Sequence, residues 1–554
     1  MLLLPPTVQA VIASRIDSLS VAARDVLRQA SVFPRGVFDL SELALVVEPR
    51  REILDELEEA EFLLGDPDRA DVWRFRSDVL RDVAYESLAK RERQRLHLRL
   101  ANRLSEPDTV DRYPRAIAYH LEQAAIAALD LNPRDRTLAD RAVEALSRAG
   151  DQARRRIESR AAVDLFEHAL ALAGPDEAWG VREASILSRL GEALYWLGEF
   201  DQAQRTLERA LEVGGDQSDH VAAHASRFLA DLMTRDDRER AEALFERALA
   251  ASRRLNDPST LARTLLMAGW LPFHADDLQG ARAMFREALE AARSVAGNPD
   301  RWAEVRALVS LASVTSEVGD EADVLALAEE GLVLGRASGQ EFTTATAEEK
   351  VALSLRHMLR LDESLEHADL AIQIYGDLGA RWELAGTIGD RAVIHRLAGR
   401  LEEAEAELRE AFALGRDLNE RGVVTWTAAE LMKVQVLRGD IATARRTAED
   451  PASRLGELDP GSSTPLLVAQ AVLALATGDP ELARERSLEA IAVEAKTRQG
   501  WNQHAAQVWW AARIFGAEAV GGEAIMEDAR TLLEAHHWRQ ALIEPDLIRE
   551  LVGS

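Results

Sequence analysis

The sequence contains no cysteine among its 554 residues. Disulfide bonds, catalysis by a thiolate and zinc sites with cysteine ligands are therefore excluded. Lysine is scarce as well, because arginine outnumbers it 63 to 4. A phosphate-binding Walker A loop needs a lysine directly after a glycine, so that the lysine and the backbone amides hold the phosphates. None of the four lysines follows a glycine, so the chain has no such loop, and we expect no bound cofactor.

Long apolar runs are also missing, and none approaches the roughly 20 residues of a membrane-spanning helix. The opening Met1-Leu2-Leu3-Leu4 has no basic flank and stops at Pro5-Pro6, so it does not read as a secretory signal. We therefore expect a cytoplasmic protein without a membrane partner.

The charge and the aromatic content restrict the function and the fold. A formal net charge of −28 argues against general affinity for nucleic acid. Residues 1–104 are nearly neutral, with 16 basic and 18 acidic residues, so the rest of the chain carries the acidity. Aromatic residues make up 5% of the chain, and alanine, leucine, glutamate and arginine dominate. This composition is typical of a helical protein.

The stretch Leu187–Val213 reads as two amphipathic helices joined by a tight turn at Gly198. Small residues at Gly191, Ala203 and Ala210 let the two helices approach closely, and Leu207 fills the remaining space. A lone helix pair cannot bury its apolar face, so it needs stacked neighbours.

The same small-large-small pattern recurs at intervals of 38 to 43 residues over nine units. The small residue that opens each second helix is Ala162, Ala203, Ala241, Ala281, Val324, Ser364, Ala404, Ala444 or Ala483. A glycine precedes several of these helices, at Gly198, Gly319, Gly399, Gly439 and Gly478, where it permits a left-handed helix end. The pattern resembles the tetratricopeptide repeat. We predict an all-α, right-handed superhelical solenoid of repeats of about 40 residues.

The first hundred residues have a different pattern. Helices are predicted at about 8–19, 21–31, 40–47 and 51–61, followed by a small hairpin at 62–75 and one long helix at 78–104. Helices followed by a hairpin suggest a winged-helix-like arrangement.

Four segments in this region carry a resemblance: LPPTVQAVIASRIDSLSVAARDVLRQASVF, LDELEEAEFLL, WRFRSDVLRDVAYESL and RQRLHLRLANRL. They resemble the C-terminal part of STAND-type signalling ATPases, as in bacterial adenylate/guanylate cyclase-like and LuxR-type regulators. The resemblance implies that a winged-helix-like segment joins a nucleotide-binding core to a helical repeat sensor. Ser77 stands where many relatives have the histidine of a Phe-Arg-His motif, so nucleotide sensing is not implied. We expect the chain to be part of a larger regulator.

These patterns predict four regions. They are a winged-helix-like segment (1–104), a helical connector (105–142), nine tetratricopeptide-like repeats (143–500) and a C-terminal helical cap (501–554), in which helices are expected around Trp509 and at 524–537. A terminal cap is needed because the last repeat would otherwise expose its apolar face.

Two binding alternatives are weighed and set aside. Basic side chains at Lys90, Arg91, Arg93, Arg95, Arg99 and Arg103 share one predicted helix, but a DNA-binding domain normally shows a clear basic excess. His220 and His224 have the spacing of two metal ligands on a helix, yet no third ligand is evident. We therefore predict no nucleic-acid partner, no metal site, no catalytic residues and no enzymatic activity.

Function is then expected on a surface. In a tetratricopeptide register, positions 2, 5, 9 and 12 of each unit face a groove lined by the first helices. These positions nominate Tyr195, Arg263, Trp270, Phe273, Arg306, Glu349, Arg356, Arg396, Trp426 and Lys433. Aromatic residues and arginine commonly anchor partners, although Trp270 and Trp426 could instead pack between neighbouring repeats.

Two functions are compatible with these patterns. The first is a non-catalytic sensor that binds a protein, peptide or small effector in the groove and relays this to an upstream ATPase, cyclase or transcriptional output. The alternative is a free-standing scaffold for protein complexes.

Overall fold

The computed structural model describes residues 6–106, 112–156, 158–172, 174, 179–234, 237–275, 277–295, 297, 299–418, 420–450, 460–497 and 501–552. The predicted boundaries at residues 500 and 554 lie outside these ranges. The chain forms two compact units, Met1–Leu229 and Ala230–Ser554. No helix in the described ranges is long and apolar enough to cross a membrane.

The first unit begins with a small mixed segment. Its elements are α1 (Pro6–Asp17), α2 (Val21–Ala30), β1 (Val37–Asp39), α3 (Leu40–Leu43), α4 (Arg51–Glu59), β2 (Leu63–Gly65), β3 (Val72–Phe75), α5 (Asp78–Glu86) and α6 (Lys90–Leu104). The strands form an antiparallel sheet in the order β1-β3-β2, with Phe38 opposite Trp73 and Leu64 opposite Arg74. Phe38, Phe62 and Trp73 are buried in a core shared with the helices, so the sheet and helices form one hydrophobic core.

The structure differs from the sequence prediction in three details here. Strand β1 was not predicted, and helix α3 is one turn long rather than extending to residue 47. The single long helix predicted at 78–104 is wrong, because the chain forms two helices, α5 and α6. Ser87 ends α5, and its hydroxyl donates a hydrogen bond to the Ala84 carbonyl at 2.6 Å. Such local side-chain bonding competes with helix continuation.

Ser77, the residue that departs from the Phe-Arg-His motif, has a clear structural role. It is the N-cap of α5, and its hydroxyl accepts a hydrogen bond from the Leu80 amide at 3.3 Å. An N-cap serine satisfies a backbone donor that would otherwise lack a partner.

The rest of the first unit consists of antiparallel helices. They are α7 (Pro114–Leu131), α8 (Thr137–Arg155), α9 (Ser159–Leu172), α10 (Gly180–Leu197) and α11 (Phe200–Gly214), followed by α12 (Asp219–Met233), within which the division between the units falls. A side chain added at Gly191 would lie 2.5 Å from Leu207. The predicted close approach of α10 to α11 is therefore present, and only glycine fits there.

The second unit continues with helix pairs. The helices are α13 (Arg238–Leu255), α14 (Pro258–Ala268), α15 (Trp270–His274), α16 (Leu278–Arg293), α17 (Arg301–Val318), α18 (Glu321–Ser338), α19 (Glu341–His357), α20 (Leu361–Leu378), α21 (Arg381–Leu397), α22 (Leu401–Asp417), α23 (Arg421–Leu437), α24 (Ile441–Glu449), α25 (Pro460–Ala476) and α26 (Pro480–Thr497). Across both units, each of the nine small residues that define the repeat lies on a second helix and is at most 1% exposed. The fold is an all-α, tetratricopeptide-like array of helix pairs.

The glycine turns follow the prediction except at Gly319. Gly198 and Gly399 have φ angles of +83° and +76°, a left-handed conformation that glycine adopts without steric cost. Gly319 instead has φ −121° and ψ −171°. The prediction of a left-handed helix end is wrong there.

The last α-helices of the described part of the chain are α27 (Asn502–Phe515), α28 (Glu523–Ala535) and α29 (Arg539–Val552). Helix α27 packs against α26 and also contacts α17, and α29 contacts α19. Both α17 and α19 are first helices of earlier pairs. Helix α29 was not predicted from the sequence. Pro545 lies inside it, and an internal proline argues against a helix when only the sequence is read.

Candidate functional site

The ten nominated residues fall into two groups. Tyr195 belongs to the first unit, and the other nine lie on α14, α15, α17, α19, α21 and α23 of the second unit. Each of these helices belongs to the first half of a helix pair, as the repeat register predicted.

Tyr195 lies half-buried at the end of α10. Its ring makes edge-to-face contacts with Trp196, Phe200 and Phe228, with centroid distances of 5.1, 6.0 and 5.3 Å. Trp196 and Phe200 are about half exposed, at 45% and 51%. Tyr195 is therefore part of an aromatic cluster at the turn between α10 and α11.

The aromatic residues of α15 and α23 pack against neighbouring helices. Trp270 contacts Phe285 of α16 edge to face at 5.4 Å, and Phe273 is buried at 9% exposure. The Trp426 ring fills the space above Gly389 of α21, where an added side chain would lie 2.5 Å from it. The contact of Trp426 with Gly389 joins neighbouring repeats, as in the alternative considered above, whereas the contact of Trp270 with Phe285 lies within one repeat.

Arg263 connects α14 to α17. Its Nε lies 2.9 Å from Oδ2 of Asp300, and its guanidinium lies 5.0 Å from the centre of the Trp302 ring. Asp300 also caps α17 by accepting a hydrogen bond from the Ala303 amide at 3.2 Å. Arg263 thus links two consecutive first helices and remains partly exposed.

The other nominated residues lie on four first helices that contact one another in order, α17, α19, α21 and α23. We call the surface they form the first-helix surface. Arg306, Glu349 and Glu383 occupy one part of it, on α17, α19 and α21, and Tyr375 of α20 donates a hydrogen bond to Oε2 of Glu349 at 3.0 Å. The charge of Arg306 acts on Glu383 and Tyr375.

The pKa of the Glu349 carboxyl group is raised well above its ordinary value. Burial, together with the negative charge of Asp390, raises the pKa of Glu349 to about 7, although the Tyr375 hydrogen bond opposes this. Burial also raises the pKa of Glu383. Carboxyl groups that retain their protons toward neutral pH are frequent at functional sites.

The raised pKa of Glu349 predicts a pH-dependent stability. The folded chain binds this proton more tightly than the unfolded chain, whose glutamate has its ordinary pKa of 4.5. The contribution of Glu349 to stability is therefore expected to fall as the pH rises from about 4.5 to about 7, and Glu349→Gln should remove this loss of about 2 to 3 kcal/mol relative to the wild type. Urea unfolding followed by circular dichroism across this pH range measures it.

Tyr375→Phe provides the companion variant. Without the hydrogen bond that opposes the shift, the pKa of Glu349 rises further and the decline in stability extends to higher pH. If Glu349→Gln has the same pH dependence as the wild type, Glu349 does not titrate as described.

Arg356, Arg396 and Lys433 form a second group, which we call the basic cluster. Nη1 of Arg356 lies 2.6 Å from Oδ1 of Asp390, and Nε of Arg396 lies 3.3 Å from Oε2 of Glu430. Lys433 also pairs with Glu430. The three cations are at most 9% exposed, so these charges lie largely away from water.

A carboxylate from the C-terminal helix completes the basic cluster. Oε1 of Glu544, on α29, lies 2.5 Å from Nη2 of Arg396 and 3.8 Å from Nζ of Lys433. Burial alone would raise the pKa of Glu544, but the charges of Arg396 and Lys433 lower it to about 2. Glu544 is therefore ionised at neutral pH.

Sequence reasoning identified the cations of this surface and missed their acidic partners. Glu383, Asp390, Glu430 and Glu544 were not nominated. The spacing of Glu430 and Lys433, three residues apart on one helix, was a usable signal for that pair. No sequence signal pointed to Glu544, because it lies 148 residues from Arg396 in the sequence.

The two histidines that were considered as metal ligands, His220 and His224, have different surroundings. Nε2 of His224 lies 2.8 Å from Oε2 of Glu192, whereas His220 is exposed. Within the described ranges, no three metal-ligating side chains come together.

Several basic side chains of helix α6 form ion pairs or hydrogen bonds with other groups of this chain. Lys90 lies 2.8 Å from Asp130, Arg95 pairs with Glu92, and Arg93 donates hydrogen bonds to the carbonyls of Glu86 and Leu88.

Comparison with known proteins supports the repeat type. Residues 182–254, which include α11 and α12, match the tetratricopeptide repeat family. No protein of curated function matches the chain significantly.

Several solved structures are similar over much of the chain. A signal transduction ATPase with numerous domains (STAND) from Pyrococcus horikoshii, which carries a tetratricopeptide repeat sensor, is 16% identical with a TM-score of 0.48, and the match covers 79% of this chain and 63% of that protein. A Rap protein crystallised with the competence and sporulation factor is 13% identical, with a TM-score of 0.46 and coverages of 67% and 99%. The apo quorum sensor NprR from B. thuringiensis is 16% identical, with a TM-score of 0.37 and coverages of 59% and 96%. The chain thus spans about 63% of the length of the STAND protein, and these weak likenesses assign no function to it.

Proposed function

We propose that this chain is a non-catalytic interaction and sensor module whose first-helix surface binds a peptide or protein partner. One observation carries the proposal. The surface already holds a polypeptide segment, helix α29, through the ion pairs of Glu544 with Arg396 and Lys433. An amphipathic helix in a groove between helices is a common mode of peptide recognition.

The charges of this surface support the same proposal. Arg396, Glu430 and Lys433 are 4%, 4% and 8% exposed. A buried ion pair is often no more stabilising than well-packed apolar side chains of the same volume. Stability alone therefore gives little reason to place three such residues on consecutive first helices, whereas recognition of a charged partner does.

We further propose that the N-terminal segment relays binding to an upstream output domain. Helix α2, strand β1, helices α3 and α4, and strands β2 and β3 follow one another in the order of a winged helix, which supports this part of the proposal. An in-frame Walker A motif upstream of Met1 in the gene would favour the relay, and an independent start without one would favour a scaffold.

Partner capture from a lysate of the source organism tests the binding surface. The wild-type chain should retain a protein or peptide that Arg306→Ala/Glu349→Gln loses by about tenfold or more, because both changes alter the first-helix surface. Quantitative mass spectrometry of the retained proteins is the measurement.

The matched control lies on a neighbouring second helix. Arg286 of α16 is exposed, and Arg286→Ala should capture the same partner as the wild type. Equal capture by all three proteins would place partner binding elsewhere on the chain.

A further inference from the structure

Helix α29 is bound to the first-helix surface differently from the repeat helices. Of residues 539–550, Pro545 and Ile548 alone are buried. Ile548 packs in a cluster with Val436 and Leu437 of α23. Its other apolar contacts, through Ala541 and Leu542, are with a cluster that includes Trp509 of α27 and Leu533 of α28, so Ile548 is its one buried apolar contact with the first helices in this range.

The other contacts that this end of the chain makes with α19 and with the turn between α17 and α18 are polar or aromatic. Trp538, just before α29, stacks on His357 of α19 with a centroid distance of 4.5 Å. The carbonyl of His536 accepts a hydrogen bond from the Glu321 amide at 3.1 Å, and Nδ1 of His537 lies 2.6 Å from Oδ1 of Asp320. Hydrogen bonds of this kind are readily exchanged for water or for those of a competing segment.

The basic cluster needs an external carboxylate. Arg356, Arg396 and Lys433 have two carboxylate partners on the first helices, Asp390 and Glu430. Glu544 supplies the third, and without it one buried cation would lack compensation. An uncompensated buried charge strongly destabilises a fold, so the surface selects for a segment that brings a carboxylate.

We propose that Arg356, Arg396 and Lys433 form a binding surface for the carboxylate of an acidic helical peptide, and that α29 occupies this surface until a partner displaces it. The proposal rests on the proposed function and specifies the chemistry of the partner. Ile548 lies one helical turn after Glu544, so the partner segment carries a glutamate or aspartate followed four residues later by an aliphatic residue. That spacing places both side chains on one helix face.

A synthetic peptide with the α29 sequence, RQALIEPDLIRELV, is the probe. Its fluorescently labelled form is titrated with the full-length chain and followed by anisotropy. The full-length Glu544→Gln variant is expected to bind it about tenfold or more tightly than the wild type, since apparent affinity rises with the fraction of molecules whose surface is vacant.

Asp546→Asn is the matched control on the same helix. Asp546 pairs with Arg513 of α27, 2.5 Å away, rather than with a first helix, so this variant should bind the peptide as the wild type does. A peptide with glutamine at the position of Glu544 should lose the gain shown by the Glu544→Gln protein. Adding Lys433→Gln to that protein should also reduce binding, and circular dichroism checks that the double variant is folded.

Hydrogen exchange provides an independent readout on the same proteins. The amides of α29 should exchange faster in Glu544→Gln than in wild type or Asp546→Asn, while those of α21 and α23 stay unchanged. Equal peptide binding by all variants overturns the proposal, and so does faster exchange of α29 without tighter peptide binding. If the peptide fails to bind but partner capture still depends on Arg306 and Glu349, the proposed function stands and this inference alone fails.

Discussion

Replacing Arg396 with alanine is expected to lower the free energy of unfolding by about 3 to 5 kcal/mol. Arg396 is 4% exposed and pairs with both Glu430 and Glu544. Its removal leaves Glu430, which is buried, and Glu544, which is partly buried, with Lys433 as the remaining ion-pair partner of both. Urea denaturation of the wild type and the variant at pH 7 and equal salt measures the difference.

An exposed ion pair in the same unit gives the control. Arg238 and Glu242 of α13 lie 3.0 Å apart, with side chains 51% exposed. Arg238→Ala should change stability by no more than about 0.5 kcal/mol. A loss below about 1 kcal/mol for Arg396→Ala would mean that water or other side chains already compensate these carboxylates.

Phe285→Ala is the second change with a large expected effect. Phe285 is fully buried on α16 and fills the space above Gly269, the residue directly after α14, where an added side chain would lie 2.5 Å from the ring. Truncating a buried phenylalanine costs about 3 to 5 kcal/mol, because the transfer free energy is lost and a cavity remains. Chemical denaturation measures the total loss.

The location of the effect is as informative as its size. Each repeat contacts its neighbours, so hydrogen exchange should accelerate most in α14 and α16. Val333→Ala on α18, where the side chain is 66% exposed, should change stability by less than about 0.5 kcal/mol. If amide exchange became faster by the same factor throughout the second unit, the unit would unfold as one cooperative structure.

The repeat array could be predicted from the sequence because its signals are local. The small residue at the start of each second helix packs against a helix only a few residues away in the chain, so spacing alone locates Ala203 or Ala404. Strand β1 and helix α29 had no comparable signal. Strand β1 has three residues, and its pairing with β3 depends on residues more than 30 positions away.

The sequence predicted on which helices the candidate site residues lie, but it did not predict their ion-pair partners. The register placed Arg356, Arg396 and Lys433 on first helices, as the structure has them. It could not show that Arg396 and Lys433 pair with Glu544, since α29 returns from the end of the chain. Long-range ion pairs leave no periodic pattern in a sequence.

The central claim is that the first-helix surface binds a partner in the place that α29 occupies. Hydrogen exchange of the full-length chain, with and without the captured partner, tests it most directly. We predict that the partner protects the amides of α19, α21 and α23 while those of α29 become more exposed to exchange. Protection confined to second helices such as α20 and α22, with α29 unchanged, would contradict the claim.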